Sequence, residues 1–167
     1  MKLNGSLDSL NKLYVFARDL GLQVAFGSEN SRTTRISRRY VRHEIQIELR
    51  PKDLFHMSGS DLQDSIGRNL AHELGHYIVA PKGRRHRKDY GIPGTSTKRW
   101  AIDEGKAILI ENYLLKRFGF GCRMRLLKYP VRSNRHRSVR EHHREIEKWW
   151  REDGERKIKS VLMNGLE

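Results

Sequence analysis

The sequence predicts a single α+β domain, in which a small, mostly antiparallel sheet packs on helices and a basic helical extension follows. Three observations lead there. The chain has 167 residues, about one domain's worth on a prior of roughly 100–200 residues each. Apolar residues alternate with polar ones over 22–26 and 41–49, the two-residue period of a strand with one wet face. Elsewhere they recur every three or four positions, as on one face of a helix. We divide the chain into residues 1–120, which carry the sheet and the main helices, and 121–167, the basic extension packed on or beside them.

Leu7, Leu10, Leu13, Tyr14, Ala17 and Leu20 predict an amphipathic helix over 7–20, with Ser6 as its cap and Gly21 at its end. Leu22, Val24 and Phe26 mark a first strand. After a polar, Arg-rich turn, Val41, His43, Ile45, Ile47 and Leu49 mark a second that ends at Pro51. That strand is expected to present an edge on which an extended peptide adds. Ser58 then opens a helix with the apolar stripe Leu62, Ile66, Leu70, Leu74 and Ile78, which stops at Pro81. Gly83, Gly91, Pro93 and Gly94 make 81–99 a loop. A third helix runs from Lys98 to Phe118, closed by Gly119, and a last one spans about 136–152 with Val139, Ile146, Trp149 and Trp150 as packing residues.

Lys and Arg number 34 against 20 Asp and Glu, a net charge of +14, and such a field attracts polyanions and acidic proteins. No apolar run approaches the roughly 18 residues of a membrane span, so a membrane partner is not expected. The single cysteine, Cys122, has no internal disulfide partner, and the first residues lack an apolar signal region. Both point to a reducing, cytoplasmic setting.

The chemistry sits in His72-Glu73-Leu74-Gly75-His76, inside the second predicted helix. Residues four apart share a helical face, so both imidazoles can meet one metal ion while Glu73 reaches a metal-bound water. A catalytic zinc takes three protein ligands. Glu104, on the next helix, is the expected third, with Asp103 in reserve, because an antiparallel helix pair brings it back to the histidines. Ser65 and Asn69 share the histidine face and can bond the ligands from behind. Gly75 costs its helix about 1 kcal/mol relative to Ala, which close approach of another backbone would explain. His43, on the apolar side of its strand, reads as a core histidine, and His86 as part of a solvated basic run.

The run Arg68 to His76, preceded by a helix and strands, resembles the compact zincins of the ImmA/IrrE type, small gluzincin-like metallopeptidases. The resemblance implies a zincin-like fold, His72, His76 and Glu104 as metal ligands (Glu104 to Ala107 matching an E-x-x-A setting), and Glu73 as general base. A more local likeness runs over residues 72–91. His72, Glu73 and His76, then Tyr77, Ala80, Arg84, Arg85 and Asp89-Tyr90-Gly91, are similar to the elongation factor P hydroxylase family. That family is iron-dependent, and the likeness gives Arg84, Arg85, Asp89 and Tyr90 a role: Arg84 and Asp89 either pair to fix the loop beside the site, or these residues bind substrate, the arginines holding an acidic group.

Three functions are thus expected in turn. The first is a zinc hydrolase of peptidase type acting on a protein or peptide, with Glu73 as base and Tyr90 or His86 placed to stabilise the oxyanion. The second is a non-haem iron hydroxylase, since two histidines and a carboxylate also suit Fe2+. The third is a nucleic-acid-binding protein, with arginines near 32–42, 84–87 and 132–144 forming the basic surface. That charge can equally steer the enzyme to an acidic or nucleic-acid-associated substrate. Oligomeric state has no signature in the sequence.

Overall fold

The computed structural model describes residues 4–27, 37–41, 44–48, 58–85, 98–121 and 136–164. Most of them are helical. In chain order the elements are α1 (Asn4–Asp19), β1 (Gln23–Gly27), β2 (Ser37–Val41), β3 (Glu44–Glu48), α2 (Gly59–Val79), a short 3-10 turn (Lys82–Arg84), α3 (Lys98–Phe118), α4 (His136–Trp149), a π turn (Trp150–Gly154) and α5 (Glu155–Asn164).

The small, mostly antiparallel sheet of an α+β domain is therefore corrected. Three five-residue strands run in the order β1-β3-β2, with β1 parallel and β2 antiparallel to β3. The single strand expected over 41–49 is two elements, because Val41 partners Glu44 and the chain reverses between them. The polar Arg-rich stretch read as a turn contains β2, whose Ser-Arg-Arg-Tyr-Val carries no alternation to betray it. Nor does β3 offer an edge to a peptide, since it lies between the other two strands. Strands this short bury little, although Ile45 and Ile47 are fully covered. Helices make the core instead.

The central helix is α2. Ser58 Oγ accepts the Asp61 N–H at 3.2 Å to cap its start, and the helix ends at Val79, two residues before Pro81. From Leu70 to Ile78 every residue is buried, as befits a helix with neighbours all round. Leu13, Phe16, Ala17 and Leu20 of α1 join its core cluster. Gly21 ends α1 at φ +77°, where its N–H bonds the Arg18 carbonyl and the Leu22 N–H bonds that of Ala17. Because α1 begins at Asn4, Ser6 lies within the helix and not at its cap.

Helix α3 packs antiparallel on α2, and Gly75 is the point of closest approach. A Cβ there would stand 2.5 Å from the Ala107 carbonyl oxygen, so only glycine lets the two backbones meet at this distance. The close approach expected from a glycine inside the metal-binding helix is what the structure has.

The C-terminal helices share the same core through Ile158 and Val161, with Trp149 and Trp150 packed against it. Helix α5 was not expected. Ile146 and Ile158 are both fully buried, yet residues twelve apart on an uninterrupted α-helix differ by about 120° in direction. The extra residue of the π turn takes up about 100° of that difference and returns α5 to the core. Gly154 fills the turn, where a Cβ would lie 2.8 Å from each of the Trp149 and Trp150 rings.

Candidate metal centre

Two turns of α2 and one residue of α3 converge. His72 Nε2 and His76 Nε2 are 3.0 Å apart. The Glu104 carboxylate reaches both, Oε1 at 3.3 Å from His72 Nε2 and Oε2 at 3.1 Å from His76 Nε2. Ligand atoms about 2.0–2.1 Å from a tetrahedral zinc lie about 3.3 Å from one another, so the spacing suits one small cation. This group can hold a metal ion. Asp103 stands outside it, 3.7 Å from the Arg99 Nε one turn back, so of the two acids expected from the sequence it is Glu104 that the fold brings to the histidines.

Burial is graded across the group: the His72 side chain is 0% exposed, His76 9% and Glu104 21%. Burial opposes the charge on Glu104, but its contacts with the His72 and His76 rings outweigh that cost and hold the carboxyl well below the usual range.

Behind His72 lies Glu111, a residue the sequence reading missed. Its Oε2 is 2.8 Å from His72 Nδ1, and both side chains are fully buried. With the Nδ1 proton directed at Glu111, the ring would present the Nε2 lone pair to the centre. The signal was available: Glu111 is seven residues beyond Glu104, two turns along the same face of α3, and follows the apolar run Ile108-Leu109-Ile110. Glu73 is buried beside the histidines at 6% exposure. Asn69 donates to the Ser65 carbonyl at 2.8 Å.

Beside the centre a cleft of about 160 Å³ is lined by His76, Arg84, Arg99, Asp103, Lys106 and Trp149, among others. Arg84, expected to contact substrate, is on its wall. Arg85 turns back onto α2, where its Nε donates to the Ala80 carbonyl at 3.3 Å and its guanidinium lies 5.6 Å from the Tyr77 ring centre. His43, His86, Asp89, Tyr90 and Cys122 lie outside the described residues, as do Arg32, Arg35, Arg42, Arg87, Arg132 and Arg135 of the expected basic surface. No helix among the described residues is long and apolar enough to cross a membrane.

Compared with protein-family models, curated proteins and solved structures, the chain matches none. Its class is defined by its own residues: a mostly helical protein with a His-His-Glu group between two antiparallel helices.

Proposed function

We propose that the protein is a metal-dependent hydrolase of peptidase type, with zinc as the metal. The observation that supports this most is the convergence of three nitrogen and oxygen donors from two helices on one point, with the buried Glu73 in the adjoining position. His72, His76 and Glu104 would hold the ion. Such an ion makes bound water acidic near neutral pH and polarises a carbonyl. The remaining work belongs to the chain. Glu73 takes the proton of the attacking water and hands it to the leaving amine, and Glu111 fixes the His72 ring and its tautomer. Burial of His72 and Glu73 keeps bulk water from the proton path.

The test is elemental analysis of protein purified without an affinity tag, followed by a peptide-library digest with the wild type and Glu73→Gln. About one zinc per chain, and cleavage that the variant lacks, would support the reading. Full activity in Glu73→Gln would refute the mechanism, and stoichiometric iron with oxygen uptake would favour a hydroxylase.

A further inference from the structure

The cleft beside the metal centre carries more positive charge than the centre accounts for. Arg84 comes from the 3-10 turn, Arg99 and Lys106 from α3, and Asp103 is the one acid among the described lining residues. Asp103 is already shared with Arg99 at 3.7 Å. Lys106 is held in place by its ammonium lying 5.0 Å from the Trp149 ring centre, a cation–π contact that positions the charge without neutralising it. The field extends past the cleft: burial, then the charges of Arg85 and Lys106, push the Lys157 ammonium below the usual lysine range, against the pull of Asp153. At about 160 Å³ the space is smaller than the roughly 300–1,000 Å³ of ordinary small-molecule sites. It suits a short side chain or chain end and not a nucleotide.

We infer that this cleft is a carboxylate subsite: Arg84, Arg99 and Lys106 receive an acidic group of a peptide whose neighbouring carbonyl lies at the His72–His76–Glu104 centre. The inference rests on the hydrolase reading and adds the substrate class to it. His76 belongs to both the centre and the cleft wall, so the cleft adjoins the centre and an acid in it would lie close along the peptide to the bond at the metal. Planar guanidinium groups bind carboxylates through two parallel hydrogen bonds, which gives orientation as well as attraction.

The test uses the full chain loaded with zinc and two hydroxamates of equal length, one ending in a carboxylate and the other in a primary amide, titrated calorimetrically. The acid is expected to bind at least about tenfold tighter at low salt, with the gap closing as salt rises. Arg84→Gln and Lys106→Gln should each bring the two affinities closer together while zinc content and the circular dichroism spectrum stay as in the wild type. Equal binding of the two probes by the wild type would overturn the subsite and leave the metal centre standing. A chain that takes up no zinc, or binds neither probe, would overturn both. Peptides bearing the acid as an internal Asp or Glu, or as a free rather than amidated C-terminus, then separate a side-chain subsite from a terminus-binding one. Failure of both peptide types to outcompete neutral ones also counts against the inference.

Discussion

The two helices that build the metal centre do so in opposite ways. Helix α2 places His72, Glu73 and His76 within a little over one turn, all buried. Helix α3 spreads its share over two turns, with Glu104 at the rim and Glu111 sealed behind His72. On the proposed reading, the compact motif would supply two ligands and the base. The dispersed one would supply the third ligand and the support, and Gly75 lets the two backbones meet.

If this division is right, substitutions on α2 should be the more severe. His76→Ala is expected to abolish stoichiometric metal binding, measured as metal per chain after gel filtration. Glu73→Gln should retain the metal and lose roughly 10²–10⁴-fold in turnover, the usual worth of a positioned general base. On α3 the counterpart is Glu111→Gln, which should weaken metal affinity by roughly 10–100-fold in a competition titration with a chelator. Equal loss in Glu111→Gln and His76→Ala would erase the distinction between ligand and support.

The contact joining the helices should show in stability. Gly75→Ala forces a methyl group against the Ala107 carbonyl and should cost about 1–3 kcal/mol by chemical denaturation. Gly83→Ala, on the exposed 3-10 turn with nothing within 4 Å of the added atom, should cost far less. The smallest effect concerns Lys157, whose ammonium sits below the usual lysine range in the fold. Just below the ordinary lysine pKa of about 10.4 the unfolded chain binds more protons than the folded one, so stability gains a rising component with pH. Lys157→Met should remove that component, seen as a flatter pH dependence of the denaturation midpoint just below about pH 10.4.

The same contrast explains what could be read from the sequence. The α2 half of the site was legible because two histidines four apart encode one helical face without reference to anything distant. Glu104 followed from the antiparallel pairing, and Gly75 signalled its own close contact. Glu111 was overlooked because its partner is 39 residues away in sequence and a lone acid in an apolar run looks like any other helix residue. Alternation over 41–49 was real at Ile45 and Ile47 but could not show that the chain reverses after Val41. Helix α5 stayed hidden because a search at 3.6 residues per turn loses phase at the π turn. Each miss belongs to a long-range pairing or to a broken period, where local pattern carries no information.

The graded exposure across the triad also gives the centre a direction. With His72 sealed against Glu111, an ion held there would face Glu104 and His76, the more exposed members of the group and the side on which the basic cleft lies. On the proposed reading, exchange of that ion would run past the Glu104 side chain. The rate of metal exchange should therefore respond to substitutions around Glu104 even where equilibrium affinity scarcely changes.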